Sequence, residues 1–85
     1  MALKSMKLNV NIRSKDKMFF SGQVRSLTSF NDKGEFDILP LHTNYISIIK
    51  DYIFINKGSS EEKKIVINKG VLRIKEDVLD VFLET

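Results

Sequence analysis

The stretch KLNVNIRS, residues 7–14, sets Leu8, Val10 and Ile12 alternately against Asn9, Asn11 and Arg13. Side chains two apart on a strand share a face, so this spacing describes a half-buried strand with one wet side. The polar turn Lys15-Asp16-Lys17 follows, then the short apolar stub Met18-Phe19-Phe20, which Ser21-Gly22 breaks. In QVRSLTSF, residues 23–30, the apolar spacing Val24, Leu27, Phe30 is three rather than two. Ser26, Thr28 and Ser29 are poor helix-interior residues, so the segment reads as a strand with an irregularity such as a bulge.

Working outward, Asn31-Asp32-Lys33-Gly34 is a turn signal ending in a glycine suited to positive φ. Residues 35–39 form a short strand that stops before Pro40, which has no N–H to give a ladder. YISIIK and DYIFINKG, residues 45–50 and 51–58, are rich in isoleucine and aromatics and read as two strands with a corner near Asp51. Residues 58–62, GSSEE, are the clearest loop. KKIVIN, VLRIK and VLDVFLE are three further strands, separated by Lys69-Gly70 and by a turn at Glu76-Asp77. About eight to ten short strands with frequent turns and no amphipathic helix predict an all-β sandwich or barrel.

With 85 residues there is chain for one domain. A domain of that size leaves little chain to wall off a deep active-site cavity. Met1 to Ser5 read as an unstructured leader or an added remnant, and the domain as residues 6–85. There are no cysteines, which removes disulfides, thiolate zinc sites and cysteine nucleophiles together. The net charge of +3 is dispersed along the chain, as on a solvated surface, and not gathered into a nucleic-acid footprint. No apolar run reaches the ~20 residues of a membrane helix, so no direct membrane insertion is expected.

GEFDILPLHTNY, residues 34–45, gathers two carboxylates, the one proline and the one histidine of the chain. A metal site needs three or four ligands, and one histidine without cysteine does not supply them. Glu35 and Asp37 share one strand face, away from Phe36 and Ile38. No Gly-x-Ser-x-Gly elbow is present for a serine nucleophile, and the four glycines form no phosphate loop. No catalytic residue, metal site or cofactor is therefore expected. The alternative to a protein-docking domain is a small β-barrel that binds nucleic acid, with Tyr45, Tyr52 and Phe54 near Lys50 and Lys57 as its stacking residues.

Phe20-Ser21-Gly22-Gln23-Val24, followed by Gly34-Glu35-Phe36-Asp37-Ile38-Leu39-Pro40-Leu41-His42, resembles the epsilon subunit of F-type ATP synthases, called delta in mitochondria. That family shows Phe-x-Gly-x-Val, a spacer, and Gly-Glu-(Phe/Leu)-Gly-(Ile/Val)-(Leu/Tyr)-Pro-Gly-His. Lys69-Gly70-Val71-Leu72-Arg73-Ile74 is similar to a third family stretch, and residues 78–84 to the strand that closes its N-terminal domain. This chain departs at Asp37 and Leu41, where the family has glycine, at Asn44, where it has proline, and at Lys69. The resemblance implies a flattened two-sheet β-sandwich without the helical hairpin that follows it in many members. It implies a non-catalytic subunit of the central stalk that couples ion translocation to ATP synthesis and hydrolysis. Its partners would be the gamma subunit and the c-ring, with no nucleic acid. It would lie peripherally at the cytoplasmic face of the inner (plasma) membrane in a bacterium. Asp32, Lys33, Gly34 and Glu35 would form the ring-facing loop, with the Glu35 carboxylate open to basic groups of the ring. Ser14, Leu39, Leu41 and His42 would lie on the gamma-facing side.

Overall fold

The computed structural model describes residues 7–84; the segment 1–5 lies outside them. It contains seven strands, β1 (Leu8–Ser14), β2 (Met18–Val24), β3 (Leu27–Asn31), β4 (Gly34–Ile38), β5 (Tyr45–Ile55), β6 (Lys63–Lys75) and β7 (Val78–Glu84), and no helix among the described residues. They hydrogen-bond in one mixed sheet, in the order β2-β1-β7-β6-β5-β3-β4. Every pairing is antiparallel except β1 with β7, which brings the first and last strands side by side in parallel.

The all-β expectation holds, but seven strands replace the expected eight to ten, for local reasons. Ser21 and Gly22 do not break the chain: both pair with β1, so the stub at Met18 runs on to Val24. Residues 23–30 are not one irregular strand. Val24 pairs with Leu8 and Leu27 pairs with Ile55, so the chain changes partners at Arg25-Ser26. That step explains the apolar spacing of three, because it resets the alternation between Val24 and Leu27. Asn56 clamps the step: its Oδ1 accepts from Arg25 N at 2.7 Å, and its own N–H donates to Ser26 O at 3.0 Å.

The corner at Asp51 is a bend inside a continuous β5, opposite a bulge in β6. The pairing with β6 slips between Lys50 and Tyr52, and Asp51 takes a φ of 75°. The extra residue is on β6, where Ile67 and Asn68 stand between the partners of Tyr52 and Lys50. It resets the alternation so that Ile65 and Ile67 on one side of the bend and Gly70 and Leu72 on the other turn inward, while Ile49 and Ile53 keep their parity on β5. Likewise Lys69-Gly70 lies within β6. Gly70 pairs with both Ile49 and Leu83. The turn at Glu76-Asp77 is as expected, a two-residue hairpin loop with both residues at positive φ, 50° and 63°.

The long β5–β6 ribbon serves two sets of neighbours. Its half around Ile53–Ile55 carries β3 and then β4, while the half of β6 from Lys69 onward carries β7, β1 and β2. Leu8, Val10, Ile12, Val24, Leu27, Ile38, Ile49, Ile53, Ile55, Leu72, Ile74, Leu79, Val81 and Leu83 are buried in a single cluster. Val24 and Ile38 belong to the two outermost strands, which a flat sheet would hold far apart. The sheet therefore curls so that both edges close on one core. Burying each such side chain is worth about 1.5–3 kcal/mol.

Gly70 is required by packing. A Cβ there would stand 2.9 Å from Leu83 Cδ2 and 2.9 Å from the Phe82 carbonyl oxygen. Gly22 is different, since its Cβ would meet only the Phe20 ring at 3.5 Å, an ordinary contact. Gly70→Ala is expected to destabilise the fold by about 1–3 kcal/mol, and Gly22→Ala to change it by less than about 1 kcal/mol. Urea unfolding followed by circular dichroism checks both.

Candidate functional site

The β3–β4 hairpin holds the residues that the sequence placed in one loop. Asn31 and Gly34 pair across its end, leaving Asp32 and Lys33 at the tip, and Gly34 takes the positive φ of 113°. Asn31 is the anchor. Its Oδ1 accepts from Lys33 N at 2.9 Å, and its Nδ2 donates to Tyr45 Oη at 3.2 Å and Ser47 Oγ at 3.1 Å. Tyr45 and Ser47 lie on β5 well before its ladder with β3 begins, so these bonds pin the hairpin tip across the ribbon. The Phe36 ring meets Tyr45 edge-on at 6.0 Å in the same place.

Glu35 sits two residues past the tip, and its carboxylate is already occupied. Tyr52 Oη donates to Oε1 at 2.7 Å and Lys57 Nζ to Oε2 at 2.9 Å. Lys57 first, and Tyr52 second, hold the Glu35 carboxyl below its usual value, while Glu35 pushes the Tyr52 phenol up. Because the folded carboxyl ionises at lower pH than the unfolded one, the stability that this contact adds is present above the ordinary carboxylate range. It is lost as pH falls through the lowered value. For Tyr52 the stability is complete below the ordinary phenol value and is lost as pH rises through the raised one. The expectation of a carboxylate open to basic groups of another subunit is thus met by basic and phenolic groups of this chain.

Around that clamp runs an aromatic row. Phe30 lies 6.0 Å from Tyr52, and Tyr52 lies 5.3 Å from Phe54. Lys50 stands over Phe30, Lys57 over Phe54, and Lys64 over Tyr52 and Phe54, all within 6 Å of the ring centres. A nucleic-acid reading would use this row as a stacking platform, yet Glu35 places a carboxylate inside it, where it repels phosphate.

The other four candidates do not come together. Leu39, Leu41 and His42 share the loop after β4. Leu41 takes a φ of 66° and its N–H donates to Asp77 Oδ1 at 2.7 Å, tying the loop to the β6–β7 turn. His42 N donates to Leu39 O at 3.2 Å, its Nδ1 lies 2.7 Å from Thr43 O, and its ring packs 5.8 Å from Tyr45. Ser14 is buried at the far end of β1. Asp77 O accepts from Asn9 N at one end of the parallel β1–β7 pair, whereas Ser14 pairs with Leu83 at the other. Five residues of strand, about 17 Å, separate those ends.

Asp37 accepts from Thr28 Oγ1 at 2.5 Å, on the face it shares with Glu35. Among the described residues no group of three His, Asp or Glu side chains is placed to hold a metal. Beside the hairpin tip lies an open groove of about 490 Å³, lined by Asn31, Asp32, Ile48, Lys50, Asp51, Asn68 and Lys69. Among the described residues no helix is long and apolar enough to cross a membrane. The partners of Glu35 and Leu41 lie 17 to 36 residues away in sequence, so no local motif signals them.

Tyr52 and Lys57 make unequal contributions to Glu35. Lys57→Met is expected to raise the carboxyl pKa more than Tyr52→Phe does, with both variants folded. Titration of the Glu35 side-chain carboxyl carbon by NMR measures the order; equal or reversed shifts would contradict it.

Comparison with known proteins gives a consistent answer. Residues 7–85 match the family described as ATP synthase, Delta/Epsilon chain, beta-sandwich domain. The ATP synthase epsilon chain of Nitratiruptor sp. is 30% identical over 78 residues, covering 91% of this chain and 60% of that one. That of Leptospira borgpetersenii is 26% identical, covering 92% and 61%. The chain thus spans about 60% of the length of the curated relatives it matches. A chain of the Euglena gracilis mitochondrial ATP synthase superposes with a TM-score of 0.83 at 14% identity, over 96% of this chain and 53% of that one. A chain of the Tetrahymena thermophila mitochondrial ATP synthase, from a structure of its central stalk and c-ring, superposes at 0.74 with 12% identity, over 98% and 67%. At such identities the two superpositions establish a shared fold.

Proposed function

The chain belongs to the ATP synthase delta/epsilon chain β-sandwich family, and on that premise we propose that it works as a non-catalytic part of the central stalk of a rotary F-type ATP synthase. The observation that carries this reading is the family match across residues 7–85, nearly the whole chain. In it, the two halves of the β5–β6 ribbon and their attached strands are the layers of a flattened two-sheet sandwich. The domain docks on the gamma subunit and turns with it, coupling ion translocation to ATP synthesis and hydrolysis. It sits peripherally, at the cytoplasmic face of the inner membrane in a bacterium.

The tip of the β3–β4 hairpin faces the c-ring in this proposal. Asp32 and Lys33 make the contact, since they are the exposed charges at the turn itself. Glu35 serves it indirectly by fastening β4 to Tyr52 and Lys57, so that the tip is presented at a fixed angle. Exposed ion pairs contribute about 0–1 kcal/mol each, so the tip sets register more than affinity. Leu39, Leu41 and His42 contribute at the gamma side as one loop, and buried Ser14 supports its own end of β1 without touching the partner.

Mixed with the cognate gamma subunit, the domain is expected to co-elute in gel filtration and to hydrolyse no ATP alone. Failure to bind at micromolar concentration would remove the stalk reading. In the assembled enzyme, reversing both tip charges with Asp32→Lys and Lys33→Glu is expected to lower ATP-driven ion pumping several-fold. Unchanged pumping would remove the ring-facing assignment and leave gamma docking standing.

A further inference from the structure

The loop after β4 contains a turn built without the residue that its geometry favours. His42 N donates to Leu39 O at 3.2 Å, Pro40 stands second in the turn, and Leu41 stands third with a φ of 66°. Proline second and a positive φ third are the marks of a type II turn, whose third position ordinarily belongs to glycine. A Cβ there crowds the neighbouring carbonyl oxygen, so the leucine is held in a conformation it avoids. Burial does not offset this, because Leu41 is 68% exposed. An exposed leucine alone is ordinary. One fixed at a positive φ and left in water points to a use for its side chain outside the fold.

What holds the turn lies across the molecule. Leu41 N donates to Asp77 Oδ1 at 2.7 Å, and in return Glu76 N donates to Asn44 Oδ1 at 3.3 Å. The two loops are fastened to each other by reciprocal side-chain acceptors, and each accepted N–H belongs to a residue at positive φ. A bond to an ionised carboxylate is stronger than one between neutral groups, so the Asp77 end is the tighter. Asp77 is itself anchored, since its carbonyl oxygen accepts from Asn9 N at 2.9 Å, where β1 begins its pairing with β7. Residues 39–44 belong to no strand, so this latch decides where the turn points.

We infer that Asp77 is a positioning residue for docking: its carboxylate does for this turn what a third-position glycine does elsewhere, and the turn thereby presents Leu41 as a specificity contact. The inference rests on the reading of the Leu39–Leu41–His42 loop as gamma-facing for the identity of the partner; turn geometry and the latch supply the rest. A loop whose bound conformation is fixed beforehand loses less freedom on binding. Glycine at position 41 would keep the turn and offer no apolar area. Leucine offers a whole side chain, so the matching feature of the partner is an apolar hollow sized for one leucine.

Three variants test it. Asp77→Gly removes the acceptor and still tolerates the φ of 63° at that position, whereas Asp77→Asn retains an oxygen acceptor. In Asp77→Gly, hydrogen exchange at the Leu41 amide is expected to speed at least tenfold while amides of β5 and β6 keep their rates, and binding to purified gamma subunit to weaken at least threefold. Asp77→Asn is expected to keep both within twofold. Leu41→Gly is expected to hold or raise the unfolding midpoint and yet weaken gamma binding at least fivefold; a purely structural role would move the two together. Undiminished binding by Asp77→Gly, with the unmodified chain bound, overturns the positioning role and leaves the stalk reading intact. Equal effects of Asp77→Gly and Asp77→Asn, or unchanged exchange at Leu41, overturn the latch. Leu41→Gly binding as well as the unmodified chain overturns the specificity contact. Failure of the unmodified chain to bind gamma overturns the stalk reading and the docking role with it, while the exchange comparison still decides whether Asp77 holds the turn.

Discussion

The β5–β6 ladder is the constraint on which the rest of the molecule depends. Its two strands are the longest in the chain, and every other strand attaches to one half of it or the other. The slip opposite Asp51 lies in β6 and keeps both Ile65 and Ile67 before it and Leu72 and Ile74 after it facing Ile49, Ile53 and Ile55 on the core side. A bulge exchanges one unpaired residue and a strained φ for continuity of the core. Gly70 completes the arrangement, because any side chain there would collide with β7 just where β6 passes from one set of neighbours to the other.

Given that ladder, the exposed features follow. The hairpin tip is held because Asn31 reaches two β5 side chains across the fold. The loop after β4 is held because Asp77, in the β6–β7 turn, accepts from Leu41. On the outer face Ile48, Val71, Phe82 and Arg13 stand in one cross-strand register, and Ile46, Arg73, Asp80 and Asn11 in the next. Scattered exposed apolar side chains are ordinary on soluble proteins; alignment of several in one cross-strand register is not.

The contrast between Glu35 and the register of Val71 and Phe82 bears on how charge and apolar area divide the work. The Glu35 carboxylate accepts two hydrogen bonds from its own chain, which adds to the stiffness of its hairpin. Phe82 and Val71 have no such internal use.

Alternation in residues 7–14 and 78–84, the turn residues at 31–34 and 76–77, and the loop at 58–62 were legible in the sequence, because each depends on local backbone preference or on a period of two. Strand number was not. Whether Ser21-Gly22 or Lys69-Gly70 ends a strand depends on which strand lies opposite, and their partners stand 10 to 21 residues away in sequence. Nor was the fate of Glu35, Leu41 and Ser14. Their neighbours are brought by the sheet order, and a hydrogen bond formed across the fold leaves no trace in the spacing of nearby residues.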